Sequence, residues 1–190
     1  MPSRALVIWE SEQQVELDWL EGVRARRAPW GARQPLNDAY IVLLASHFQH
    51  FCRDLHTEAA EAVASSSAPQ VTHLVRKALI LGRQLDRGNA TPSSLQADFG
   101  RLDVDLWPDL AERDSRTAAR RRRLEQLNVW RNAVAHRDFR LSAAAQTVVA
   151  RTRRSLAFAR SCRSCCGVLA RQMDSVVRAR LGIVLGAPPW

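Results

Sequence analysis

The sequence predicts an all-α protein, an antiparallel helical bundle. Three observations lead there. Apolar residues recur at helical spacing along almost the whole chain, and the alternation that marks strands is nearly absent. Clusters of Pro, Gly, Ser and Asn separate these stretches and would stop helices. Of the 190 residues, 46% are hydrophobic and 25% charged, which is enough apolar mass to bury a core.

Taken in order, Ser11 with Gln14 can form a capping box that opens a helix over 12–26, with Val15, Trp19 and Val23 on its buried face. Pro29, Gly31 and Pro35 break the chain. Asn37 can then cap a second helix to about residue 63, whose stripe is Ile41, Leu44, Phe48, Phe51, Leu55 and Ala59. The run SSSAP at 65–69 ends it. A third helix is expected over 70–86, with Val71, Leu74, Ala78, Leu81 and Leu85 facing inward. DRGNATP at 86–92 reads as turns, followed by a short helical piece near 94–99 and a loop. Pro108 suits the first turn of a helix running to about His136. Ser142 opens the last segment, to about Leu185 with a break near Gly167. Its stripe is Val148, Leu156, Ala159, Cys162, Cys166, Leu169, Met173, Val176, Leu181 and Val184.

Several function classes drop out. No apolar run approaches the ~18 residues of a membrane span, and the acidic N-terminal region lacks a signal-peptide pattern, so a cytoplasmic protein with no membrane contact is expected. Cys162 and Cys166, one turn apart in an apolar stripe, read as buried thiols, and C-x-x-C-C without a nearby His is a poor zinc site. His47 and His50, at i and i+3 without the carboxylate spacing of a metal site, make a poor one, so no metal is expected. There is no phosphate-binding Gly loop, nucleophile elbow or helix-turn-helix signature. Charge is more telling. Residues 1–112 carry 11 basic against 15 acidic residues, residues 113–163 carry 14 against 3, and the total is +9. A polyanion is the natural partner of such a segment.

Inside that basic segment lies VWRNAVAHRDF at 129–139. At 100° per residue, Leu127, Trp130 and Val134 share one face of the helix. Asn132 and His136 point roughly 160° away from it and lie about 40° apart, while Arg131 sits about 60° from the core centre. Two readings stay open. His136 and Arg137 could simply complement the negative end of a helix, with ARRRRL at 119–124 a solvated surface. Alternatively the outward face works on something from outside: an RNA, a second subunit, or both.

RNAVAH resembles the R-x4–6-H signature of the HEPN superfamily, in the form with a polar residue after the Arg. LNDAYIVLLASHFQHFCRDL at 36–55 and GNATPSSLQADFGRLDVDL at 88–106 resemble the two segments that precede the motif in the RiboL-PSP-HEPN branch. The resemblance spans roughly 36–185, leaving 1–35 as an N-terminal helical extension before a HEPN-like bundle over 36–190. It implies a two-fold homodimer with both motifs facing one cleft. It also implies metal-independent endoribonuclease activity without a cofactor, in a toxin–antitoxin or antiviral defence setting with an antitoxin or defence-system protein as partner. Arg131, Asn132 and His136 would be catalytic. Arg120, Arg121, Arg122, Arg123, Arg137 and Arg140 would hold the RNA backbone. The same face could instead serve a non-catalytic RNA- or protein-binding module. The sequence departs from the family where Gln49 stands for a common Glu. It departs again at Asp138, where one toxin branch has a modified Tyr; the only tyrosine here is Tyr40.

Overall fold

The structure is a computed structural model that describes residues 1–25 and 30–190. Among these the chain is all-helical. Its helices are α1 (Arg4–Ile8), α2 (Gln14–Ala25), α3 (Arg33–Ser66), α4 (Thr72–Ile80), α5 (Pro92–Gly100), α6 (Leu106–Arg113), α7 (Thr117–Ala135), α8 (Ala143–Val149) and α9 (Leu156–Leu185). The central member is α3, which packs against α1, α2, α4, α7 and α9. Its expected stripe, Ile41 through Ala59, is buried throughout. Pairing runs α7 antiparallel to α9, since Arg123 stacks over Phe158 and Gln172 donates to Asp114. By contrast α3 and α9 run parallel: Arg154 pairs with Asp38 near both helix starts, and Arg163 reaches Tyr40 further along.

Local chemistry explains where these helices begin. Ser3, Thr91, Ser142 and Ser155 each accept a first-turn backbone N–H through the side-chain oxygen, and Pro92 occupies the first turn of α5. The N-terminal arm is tied down by two carboxylates. Glu58 accepts from Arg4 N and Ala5 N, and Asp174 accepts from Ser3 N. That docking places Trp9 between Phe48 and Phe51, with ring centroids 5.8 and 5.9 Å away.

Several expectations need correction. Ser11 does not cap a helix. The helical course starts at Arg4 and passes through a π-helical turn at Trp9–Gln13, within which Ser11 Oγ donates to Val7 O. An extra residue in that turn rotates the face that follows. Ala5, Leu6, Trp9 and Leu17 are therefore buried, whereas Val15, Trp19 and Val23 are exposed. Asn37 lies inside α3 and donates to Arg154 O rather than capping, and Pro35 is accommodated in the first turn. Pro29, expected to break the chain, lies outside the described residues.

The third helix is short and turned the other way. It ends at Ile80, and Gly82, at φ 77°, redirects the chain. Val71, Leu74 and Leu81 are exposed, while Leu85 reaches the core from a separate 3-10 turn, Gln84–Asp86. The helix expected from Pro108 to His136 is two helices. Asp114 ends α6 in extended geometry and accepts from Arg116 N, Gln172 and Arg120, which hold its carboxyl down at about 2. The last segment breaks at 150–155, where Ala150 has φ 42°, and passes helically through Gly167. Val149 and Phe158 take the buried places expected of Val148 and Leu156, and Val184 is exposed. Cys52, Cys162 and Cys166 are buried free thiols, their pKa values raised by burial. No helix among the described residues is long and apolar enough to cross a membrane.

Candidate functional site

The motif occupies the last two turns of α7. Leu127 and Ala133 are buried and Trp130 packs against the core, so the opposite face carries Asn132 and His136 outward. Arg131 is half-buried between the two faces. The helix stops in a Schellman turn: Arg137 N donates to Val134 O (3.1 Å) and Asp138 N to Ala133 O (3.0 Å). Arg137 fills the left-handed position of that turn at φ 51°, where glycine is the usual occupant. His136 is thereby the residue that caps the C-terminus of α7, and its N–H bonds Asn132 O.

The chain beyond the turn is fastened from below. Trp130 Nε1 donates to Thr152 Oγ1 (3.0 Å), and the Arg154 guanidinium lies over Phe139 at 4.1 Å and over Trp130 at 5.8 Å. Held in this way, the 138–142 loop and α8 close one side of a shallow cavity of about 310 Å³. Asn132, His136, Asp138, Arg140 and Ser142 supply its polar lining. Asp138 Oδ1 accepts from Arg140 N (2.9 Å), which fixes the loop. Among the described residues the His136 ring has no hydrogen-bond partner, so both of its nitrogens are available.

Arg131 is not in the cavity wall but is coupled to it. Its Nη1 donates to Asn132 Oδ1 at 3.2 Å. The same oxygen accepts from Asn89 Nδ2 at 2.7 Å. Asn89 belongs to the turn cluster before α5, which the sequence presents as a chain-breaking run and as the start of the 88–106 segment. Nothing in its spacing from the motif, 43 positions away, reveals the contact.

Of the six expected backbone-binding arginines, Arg140 lines the cavity and Arg137 flanks it. The run from Arg120 to Arg123 begins roughly 20–24 Å further along the axis, at ~1.5 Å per residue. Two of its members are engaged within the fold: Arg120 pairs with Asp114, and Arg123 stacks on Phe158 while donating to Gln126. Arg121 and Arg122 are exposed, with Arg121 above Trp107. The positive surface is thus two patches joined by one helix, a small one at the cavity and another near the start of α7. No group of three or more His, Cys, Asp or Glu among the described residues is arranged to hold a metal ion.

Gln49, standing for the family's Glu, donates to Leu85 O (3.0 Å) and Gly88 O (2.6 Å). It holds the loop that carries Asn89. Tyr40 is buried beside Arg163. No family model, curated protein or solved structure matches the chain.

Proposed function

We propose that the chain is an endoribonuclease that cleaves RNA without a metal ion, with Arg131, Asn132 and His136 as its catalytic residues. What supports the reading is one grouping: Asn132, His136 and Arg140 share a concave surface, Arg131 is bonded to Asn132, and Asn132 and His136 have no core role. The likeness to the HEPN signature supports the same assignment. RNA brings its own nucleophile, the 2′-OH, so the reaction needs proton transfer and charge stabilisation rather than a metal-bound water.

The 2′-oxygen attacks the adjacent phosphorus as a base takes its proton. The bond from phosphorus to the 5′-oxygen breaks as an acid protonates that oxygen. The products are a 2′,3′-cyclic phosphate and a 5′-OH. Two copies pairing across the motif face bring two His136 rings to one cleft, one as base and one as acid. Arg131 offers parallel N–H donors to the non-bridging oxygens as charge develops on them. Arg137 and Arg140 hold the flanking backbone, and Arg121 and Arg122 extend the track. On this reading the protein acts in a toxin–antitoxin or antiviral defence setting, with an antitoxin or defence-system protein as its protein partner.

One observation favours a second reading, a non-catalytic RNA- or protein-binding module. Asp138 lines the cavity beside His136, and a carboxylate there opposes a phosphodiester. The two readings part in a cleavage assay with purified protein, structured and unstructured RNA, and excess EDTA. The enzyme reading expects His136→Ala and Arg131→Ala each to slow cleavage by about 10²-fold or more with helicity unchanged. Cleavage that survives His136→Ala, or that requires added divalent metal, overturns it. Intact RNA binding with no cleavage favours the module.

A further inference from the structure

The motif asparagine is held from outside its own helix. Asn132 Oδ1 accepts from Arg131 Nη1 and from Asn89 Nδ2. Arginine can only donate, so the atom facing it must be the amide oxygen, and the contact from Asn89 must then run through its NH2 group. With the oxygen engaged twice, the two N–H groups of Asn132 are its remaining polar capacity.

Asn89 is itself clamped on both sides. Gln49 on α3 donates to the preceding carbonyl, Gly88 O, at 2.6 Å. Asn128 on α7 donates to the following one, Ala90 O, at 3.0 Å, and Ala90 is 2% exposed. Asn89 O accepts from Thr91 N at 2.8 Å, at the cap of α5. Three amide side chains from a helix, a loop and a second helix therefore converge on the orientation of a fourth.

We propose that Asn89 is a positioning residue: it fixes the amide of Asn132 so that the NH2 group, not the oxygen, is presented to an anionic ligand in the cavity. On the ribonuclease reading, on which this rests, that ligand is a phosphodiester oxygen. An unrestrained Asn side chain can flip between two nearly isosteric states, one donating to an anion and one repelling it. A fixed orientation removes the second state before substrate arrives. Gln49 acts at one further remove, by holding the loop.

The test uses a change of hydrogen-bonding sense at constant shape. Asn89→Asp keeps the side-chain outline but can only accept, so it draws the Asn132 NH2 toward itself and turns the oxygen outward. Cleavage kcat should fall about tenfold or more in Asn89→Asp and less in Asn89→Ala, with KM within about twofold of wild type. In an Asn132→Ala background neither Asn89 substitution should cost anything further. The denaturation midpoint serves as the control for folding. Equal, multiplicative losses in both backgrounds, or wild-type cleavage by Asn89→Asp, overturn the proposal. A 2′-deoxydinucleotide, which cannot be cut, separates this outcome from failure of the enzyme reading. Whether or not the protein cleaves RNA, its addition should shift the Asn132 side-chain amide resonances in wild type and leave them in place in Asn89→Asp. Resonances that stay put in wild type, or move alike in both, overturn it.

Discussion

At the scale of single residues, the ring of His56 lies edge-on to Phe99 in the core, with Nε2 3.0 Å from Asp98 O and Nδ1 3.3 Å from Arg83 Nη1. A carbonyl can only accept and a guanidinium can only donate, so this arrangement demands the neutral ring with its proton on Nε2. Burial, and then the Arg83 charge, push its pKa from 6.5 down to about 4. Between those values the unfolded chain binds a proton that the folded chain refuses. Stability is therefore full above pH 6.5 and is lost as pH falls toward about 4, by about 3 kcal/mol at ~1.4 kcal/mol per unit. Denaturant titrations from pH 7 to 4 should show His56→Gln, which keeps one donor and one acceptor but cannot titrate, losing less stability than wild type by about that amount. Parallel curves would contradict the assignment. Arg137 makes the opposite kind of case, since its left-handed backbone is strained. Arg137→Gly should raise stability by about 0.5–1 kcal/mol, read from the denaturation midpoint, and a lower midpoint would show that its side chain outweighs the strain.

At the scale of helices, periodicity shows that an apolar face exists but not what it faces. For α3 the two coincide, because a 34-residue helix through the middle of the bundle has its stripe covered at every turn. For α2 and α4 they do not: a π-helical turn and a glycine at φ 77° re-phase or end the helix, and neither leaves a clear mark in the sequence. Leu74→Glu and Leu81→Glu should accordingly shift stability by no more than about 0.5 kcal/mol, whereas Leu85→Ala, fully buried, should cost about 2–5 kcal/mol in the same melt. Comparable losses at all three positions would put the stripe back inside. The candidate site was legible to a similar degree. The outward direction of Asn132 and His136 follows from the wheel of a single helix, and the structure shows it. What Asn89 and Gln49 touch stays hidden, because their contacts join elements far apart in sequence. The arginine run reads as one patch in sequence but divides in the fold. Replacing Arg121 and Arg122 should flatten the salt dependence of RNA binding by about 0.7 per lost contact on single strands, and replacing Arg120 or Arg123 should do so less. Equal slopes for all four would mean that the internal pairs open on binding.

At the scale of the whole molecule, the fold leaves its motif on an open face beside a shallow cavity, lined by Arg140 and Asp138 and followed in the chain by Arg137. One copy offers one imidazole, and the proposed chemistry uses two. Light scattering should therefore report a dimer at tens of micromolar, weakened by a bulky substitution at the motif face such as Asn132→Trp. A wild type that stays monomeric would remove the shared cleft. In the proposed reaction the RNA's own 2′-oxygen is the nucleophile and His136 handles its proton. That chemistry is tested most directly by cleavage of one defined RNA carrying a single 2′-deoxy substitution at the mapped cut site, in EDTA, with the ends of the unsubstituted products identified by mass spectrometry. The all-ribose RNA should yield 2′,3′-cyclic phosphate ends, and the substituted position should stay uncut. A cut at the 2′-deoxy position, or 5′-phosphate ends, would contradict it.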